Sequence, residues 1–290
     1  MDAEEPRFVP QAEVLASRPR LIGAVRFEGL WVTGSLAGLA RPSVAVVGTR
    51  APSDAGRRRA HAIAQELAAA GVCVVSGLAL GVDGAAHAGA LAGGGPTVGV
   101  LGGGHGHFFP KRNRALAEAM LAGGAVVSPF APDVPARPWQ FLERNGVVAA
   151  LADVVLVVEA AARSGALNTA SWAANLGIDV LAVPGDVDRP KAAGCNALIR
   201  DGATLVRDAA DVLAALGITR PAAPKGSDAP GDALHRSLLR KLAAGPRDLD
   251  ALVAGSEAQP GAILAALVEL ELAGTIVSED GHYHLAKTRA

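Results

Sequence analysis

The run Val44-Ala-Val-Val-Gly48-Thr49-Arg50 sets a guanidinium directly after a short aliphatic strand and a glycine turn, with Ser53 or Asp54 placed to cap the helix that follows. A turn of this kind aims free backbone N–H groups and the positive end of a helix dipole at one crevice. A planar guanidinium beside them can grip a phosphate through two parallel bonds. Gly48, Thr49 and Arg50 therefore read as an anion site. The same device recurs along the chain. Ser76-Gly77-Leu-Ala-Leu-Gly81-Val-Asp83 leads into a stretch bearing His87. Gly102-Gly103-Gly104-His105-Gly-His107-Phe108-Phe109-Pro110-Lys111-Arg112-Asn113-Arg114 joins a flexible backbone to two aromatics able to stack on bases and three cations at a helix start. Those cations oppose the helix dipole and cost helix stability unless an anion arrives. Arg144-Asn145 adds an Arg and an Asn near another helix start. In Arg163-Ser164-Gly165-Ala-Leu-Asn168-Thr169, two hydroxyls flank a glycine that permits close approach.

Other chemistries fit these residues less well. Ser76, Asp83 and His87 are the residue types of a hydrolytic triad, but Ser76 is not in a G-x-S-x-G setting, and Asp83 with His87 reads as a structural pair. His105 and His107 lack acidic or Cys partners for a metal. Cys73 and Cys195 show neither metal-ligand nor redox spacing. The first turn lacks G-x-G-x-x-G, which argues against a nicotinamide dinucleotide. No catalytic residue, metal or cofactor is predicted.

The elements that must position these residues alternate regularly. Aliphatic strands at 44–47, 72–75, 97–101, 125–128, 154–158 and 180–183 are separated by helices over about 55–70, 82–91, 112–121, 140–151 and 167–176. Near-continuous aliphatic strands between helices predict a mostly parallel sheet covered on both faces. Right-handed crossovers make it an α/β fold with an extended Rossmann-like, doubly wound sheet, whose ligands lie outside the carboxyl ends of the strands. Residues 1–40, with a short helix at 11–16 and a strand at 30–33, read as a lead-in, and residues 41–216 as the Rossmann-like domain. The Pro- and Gly-containing stretch 217–232 reads as a linker. Residues 233–290, three helices and then two short strands around Asp280-Gly281, read as a small C-terminal winged-helix domain.

Composition sets the class. Of 290 residues 50% are hydrophobic but only 3% aromatic, so small side chains must pack against glycine turns. With 27 Lys+Arg against 28 Asp+Glu the chain is not basic overall, and any nucleic-acid footprint is a local patch. The first residues carry no leader pattern, and no run reaches membrane-spanning length. A soluble, cytoplasmic protein with buried thiols is expected.

Taken in order, several motifs resemble the DNA-processing protein A (DprA/Smf) family of bacterial single-stranded-DNA-binding proteins. They are Val46-Val-Gly-Thr-Arg50, Ser76-Gly-Leu-Ala-x-Gly81-Val-Asp83 with His87, and Val100-Leu-Gly-Gly-Gly with Phe109-Pro-Lys-x-Asn113. Arg144-Asn145, Glu159 with Ser164-Gly165 and Thr169-Ala170, Pro184-Gly185, and Gly194-x-Asn196-x-Leu198-Ile199 with Gly202-Ala203 continue the series. The C-terminal segment is similar to the winged-helix domain of many members. The resemblance implies a non-catalytic protein that binds single-stranded DNA through its phosphates, forms a homodimer, and loads the recombinase RecA in natural transformation or recombination. It places Arg50, Lys111, Asn113 and Arg144 along the DNA groove. The residues expected to meet phosphates are Gly48, Thr49, Arg50, Ser76, Gly77, Gly103, Lys111, Asn113, Arg114, Arg144, Asn145, Ser164, Gly165 and Thr169, with Phe108 and Phe109 as base-stacking candidates. Two departures stand out. The family's Arg-Asn-Arg reads Arg144-Asn145-Gly146, and its Ser-Glu after the fourth strand reads Ser128-Pro129. The helical N-terminal domain common in the family is expected to be reduced to the short lead-in.

The winged-helix segment carries its own signal. Its expected recognition helix, 261–273, holds Glu269 and Glu271 but no Lys or Arg, and the wing holds Glu279 and Asp280. That is a poor surface for phosphates, so protein contact is expected there, with Arg236, Arg240 and Lys241 on the first helix able to meet DNA at the edge. Two other classes compete with the leading reading. Nucleotide-hydrolysing proteins of the lysine-decarboxylase-like (LOG) family have a related fold, but their Pro-Gly-Gly-x-Gly-Thr turn is replaced by Glu159-Ala-Ala-Ala-Arg-Ser-Gly165. A small-nucleotide sensor signalling through the winged helix is the other. Oligo-dT binding that weakens steeply with salt separates a polymer site from a mononucleotide site.

Overall fold

The computed structural model describes residues 5–218, 230–254, 256, 258–272, 275–279 and 281–286, and the chain divides into a unit of residues 1–220 and a unit of residues 221–290. In the first unit, β1 (Arg7–Pro10), α1 (Gln11–Val14) and β2 (Gly29–Gly34) precede an alternating series. That series runs β3 (Ser43–Val47), α2 (Asp54–Ala69), β4 (Cys73–Ser76), α3 (Val82–Ala92), β5 (Thr97–Val100), α4 (Arg114–Met120) and β6 (Ala125–Ser128). It continues with α5 (Pro138–Ala150), β7 (Val154–Val157), α6 (Gly165–Asn175), β8 (Asp179–Ala182), α7 (Ala193–Arg200), β9 (Thr204–Leu205) and α8 (Ala209–Ala215).

All nine strands belong to one sheet, in the order β1-β2-β6-β5-β4-β3-β7-β8-β9. From β6 across to β9 the strands run parallel, and their order reverses at β3. The parallel strands β3 to β7 are buried on both faces, which is why their sequences are largely aliphatic. In β3, Ala45 and Val47 join the core beneath α5 and α6, while Val44 and Val46 join the core beneath α2, α3 and α8. A period of two thus divides one strand between two helical layers.

The lead-in, residues 1–40, contributes two strands to the same sheet. β2 pairs antiparallel with β6, Trp31 opposite Ser128 and Val32 opposite Val127, and β1 pairs with β2. Leu30 and Val32 are buried there, which is what holds the pair in place. At the other end of the strands, Arg18 joins the N-terminal region to the start of β3 and the turn before β7. Its guanidinium reaches Asp153 at 2.9 Å and donates to Ser43 Oγ at 2.6 Å. A second difference lies after β5. The expected helix over 112–121 opens as a 3-10 turn, Lys111–Asn113, before α4 begins at Arg114. The 3-10 turn keeps Lys111 and Arg112 out of the α-helix, so the dipole cost expected of three cations falls mainly on Arg114.

The second unit comprises α9 (Pro230–Ala243), β10 (Arg247–Asp248), α10 (Leu249–Ala254), α11 (Pro260–Leu272), β11 (Ile276–Glu279) and β12 (His282–Leu285). Its strands form a separate antiparallel sheet, β10-β12-β11, over a core that includes Leu238, Leu252, Ile263, Leu267 and Ile276. The two-residue β10 is an element that the sequence reading lacks. Most of the expected linker, 219–229, lies outside the described residues, as does Asp280 of the expected wing. Among the described residues no helix is long and apolar enough to cross a membrane.

Candidate nucleic-acid interface

The loops after β3, β4 and β7, with the middle of α5 and the start of α6, enclose a cavity of about 360 Å³ where the strand order reverses. That is where an open α/β sheet presents its ligand crevice. The cavity gathers Gly48, Thr49, Arg50, Gly77, Arg144, Asn145, Ser164, Gly165 and Thr169. The loops after β5 and β6 enclose a second hollow of about 630 Å³ lined by Lys111, Arg114, Phe108 and Phe109. One side chain lines both: Phe141, on α5. The Arg50 guanidinium lies 5.5 Å from its ring centroid and that of Arg144 5.9 Å, while Phe109 meets it edge-on at 6.2 Å. Such distances allow cation–π attraction. Phe141 is the functional candidate that the sequence reading missed, although an aromatic three residues before Arg144 is a signal in a chain with so few aromatics.

The first turn is held by close backbone approach. Thr49 N–H donates to Glu159 O at 2.7 Å, and Val82 N–H donates to Thr49 O at 3.2 Å. A Cβ at Gly81, which sits at φ 86°, would strike the backbone of Thr49 and Arg50. Glycine at 81 therefore sets the approach of the second turn to the first. The start of α2 does not face the groove as an open anion site. Ser53 N–H and Ser53 Oγ donate to the two carboxylate oxygens of Glu159 at 3.0 and 2.6 Å. The helix start that does line the groove is that of α6, where Ser164 Oγ accepts from Ala166 N–H at 3.3 Å.

Behind the second turn stands a buried polar frame. Arg144 is only 3% exposed, and its Nη1 donates to Gly77 O and, at 2.6 Å, to Val100 O. Asp83 Oδ2 accepts from Gly77 N–H at 3.2 Å and Ala79 N–H at 3.3 Å. Asn113 Nδ2 donates to Leu78 O at 2.9 Å and Ala79 O at 3.0 Å. These bonds hold Leu78 at φ 55°, a left-handed conformation unusual for a branched residue, with its side chain in the core. Burial pushes the Asp83 carboxyl up, and the Arg144 charge and the two N–H donors pull it back. Burial lowers the Arg144 guanidinium to about 10, so it stays charged at neutral pH. Asn113 Nδ2 and Arg144 Nη1 thus brace backbone, while the buried Arg144 Nε has no hydrogen-bond partner among the described residues. Asn145 bridges helices in a similar way, its Nδ2 donating to Gly165 O and to Asn168 Oδ1.

Three further expected site residues point inward. Ser76 is fully buried and its hydroxyl donates to Val46 O at 2.6 Å, because the strand end on which it sits is covered on both faces. Gly103 is buried against Ala136, where a Cβ would find no room. The Gly102–Gly104 run thus serves close packing and not a flexible loop. Phe108 is 5% exposed in the cluster with Leu101, Ala117 and Met120, so its ring is part of the core and unavailable for stacking. Phe109, its neighbour, is 55% exposed. Gly146, where the family pattern has Arg, faces inward: a Cβ there would come within 3.1 Å of Trp172, and glycine lets α5 and α6 pack closely.

The triad residue types do not assemble. His87 is buried with Nδ1 2.7 Å from Thr97 Oγ1, whose own proton goes to Val74 O, so Nδ1 is the protonated nitrogen. Burial, then the Arg144 charge, lowers His87 to about 3, and Ser76 and Asp83 are engaged as described. His105 Nε2 bonds Val126 O at 3.1 Å inside the fold, and among the described residues no group of three His, Cys, Asp or Glu is placed to hold a metal.

Comparison with known proteins agrees with the motifs. The model of the family described as DNA recombination-mediator protein A matches residues 25–217, and that of the DprA winged helix domain matches residues 220–282. The chain is 39% identical over 270 residues to the putative DNA processing protein DprA of Mycobacterium tuberculosis, covering 90% of this chain and 69% of that protein. It is 38% identical over 279 residues to protein Smf of Escherichia coli, covering 91% and 74%. DNA processing protein A from Helicobacter pylori, whose structure is described for its single-stranded DNA binding mode, matches with a TM-score of 0.63 at 26% identity over 73% of this chain and 94% of that one. With one family model spanning β2 to β9 and the groove and the other most of the second unit, the chain belongs to the DNA recombination-mediator protein A (DprA) family.

Proposed function

We propose that this chain is a non-catalytic mediator that binds single-stranded DNA along the carboxyl edge of its sheet and, as a cytoplasmic homodimer, delivers it to the recombinase RecA. The observation that carries the reading is the continuity across Phe141. Arg50 stands over its ring on one side, and the hollow holding Lys111, Arg114 and Phe109 opens on the other. Cations separated by aromatic faces suit a strand whose phosphates and unstacked bases alternate, whereas a mononucleotide needs only one of the two cavities. The family's Helicobacter pylori member, described for single-stranded DNA binding, supports the same choice.

The absence of bond-making chemistry from the proposal rests on the committed state of each candidate nucleophile and base. Ser76 and His87 are turned into the core, and Asp83 accepts two backbone bonds. In the second unit, α11 carries exposed Glu269 and Glu271 and no cation, so we assign that unit mainly to protein contact.

Oligo-dT binding followed against salt tests the reading. Log affinity should fall steeply with log salt, by about 0.7 for each phosphate contacted. Arg50→Ala and Lys111→Ala should each weaken binding by about 1–2 kcal/mol across sequences, through loss of a charge-assisted bond. Affinity unchanged in both variants at moderate salt would remove the groove assignment, and tight, salt-insensitive binding of a mononucleotide would favour a nucleotide enzyme or sensor.

A further inference from the structure

Past Arg50, on the far side of the segment 48–53, the carboxyl ends of β7 and β8 open onto another cavity, of about 380 Å³. That is large enough for a small-molecule site, since such sites begin at about 300 Å³. Its floor is aliphatic and almost fully buried: Val158 and Val183 are each 3% exposed, with Ala192 and Cys195 beside them. Its rim is cationic. Arg59, from α2, and Arg189, from the loop before α7, are both exposed, and neither side chain has a hydrogen-bond or ion-pair partner among the described residues.

The carboxylates at this cavity are already engaged. Both oxygens of Glu159 accept from Ser53, and Asp186 Oδ1 accepts from Asp188 N–H at 3.2 Å. The start of α2 is therefore satisfied without any ligand, and the site does not depend on a helix dipole. The cavity is tied to the groove by a shared wall. Lys191 Nζ donates to Ala51 O at 2.6 Å, one residue beyond Arg50, while Thr49 and Arg50 line the groove and Ser53 lines the cavity.

We propose that this cavity is a further nucleotide site on the same DNA path, the base lying on the Val158–Val183 floor and its phosphate held by Arg59 and Arg189. The proposal rests on the single-stranded DNA reading and extends it. The strand then runs from the Lys111 hollow, past Arg50, into a pocket that takes a base out of solvent. An apolar floor under a cationic rim matches a nucleotide, with its planar apolar face and its anion, better than it matches a bare phosphate.

The test uses the full chain and oligo-dT of about 4 and about 16 nucleotides, near the limits of single-strand site sizes. Arg59→Glu/Arg189→Glu should bind the long oligomer about tenfold more weakly, with a salt slope smaller by about 1.4, the value for two lost phosphate contacts. It should bind the short oligomer as the wild type does. Arg41→Glu, at the opposite end of β3, controls for bulk charge and should leave both affinities within twofold. Equal losses on both oligomers, or no loss on the long one, would overturn the site. So would dTMP binding that the double variant abolishes while long-oligomer affinity stands, because the ligand would then be a free nucleotide. Arg50→Ala on the short oligomer reports on the groove itself, so failure there is distinguishable from failure of the added site.

Discussion

At the β4 turn nearly every polar side chain is committed to the protein: Asp83, Arg144 and Asn113 converge on three successive residues, 77–79, and none is exposed. The loop after β5 is built the other way. Lys111 and Phe109 stand exposed, and the exposed Arg114 guanidinium lies 5.8 Å from the ring of Phe108. The contrast separates two contributions to binding. A braced turn supplies backbone in a fixed shape, so its side chains act through stability. A free loop supplies charge and stacking area that take up their final arrangement on the strand, so its side chains act through affinity.

Several substitutions break or sharpen that division. The largest effect is expected for Arg144→Ala, which strands Gly77 O, Val100 O and the Asp83 charge in the interior. Urea unfolding should show a loss of about 4 kcal/mol. Arg144→Lys should restore part of it, since an ammonium can donate to both carbonyls as Nη1 does, and the salt slope of DNA binding should stay as in the wild type. Normal stability with a flatter slope would make Arg144 a phosphate ligand and erase the contrast. Next comes the Phe pair. Phe108→Ala should cost about 3 kcal/mol of stability as a core cavity, whereas Phe109→Ala should leave stability alone and weaken oligo-dT binding by about 1 kcal/mol.

His87 supplies a smaller, pH-dependent effect. Its folded value of about 3 lies below the ordinary 6.5, so its contribution is complete above pH 6.5 and is lost as pH falls toward 3. At pH 5 the loss should be about 2 kcal/mol. His87→Asn keeps a donor for Thr97 and removes the titration, so its stability should vary less over that range; an unchanged pH profile would mean that another group governs the acid limb. The smallest effect is expected for a chain ending at Ile218, which should bind oligo-dT within about 0.5 kcal/mol of the full chain. A larger drop in a folded core would give the second unit a share of the DNA contact.

The parallel sheet is legible in the sequence because strands covered on both faces leave no polar position to interrupt the aliphatic runs. The place of Arg50 on the cavity is equally legible, being that of a guanidinium at a strand's carboxyl end beside a glycine turn. Arg144 is not, since an Arg in the first half of a helix reads the same whether it faces solvent or a carbonyl cage, and only the packing of α5 over β4 and β5 decides. Phe108 and Phe109 likewise share a residue type and a local context but take opposite sides of one loop. Glu159 stands in one of the family motifs, and its carboxylate closes the start of α2, a pairing with Ser53 that no local pattern reveals. The antiparallel pair β1–β2 depends on β6, far along the chain, and periodicity carries no information about partners at that distance.

That last pairing also sets an order in time. Trp31 cannot meet its partner Ser128 until the intervening strands β3, β4 and β5 have been made, so on the ribosome β1 and β2 wait for much of the sheet that they border. A pair that docks late leaves the β6-facing edge of β2 open while the strands between are being made.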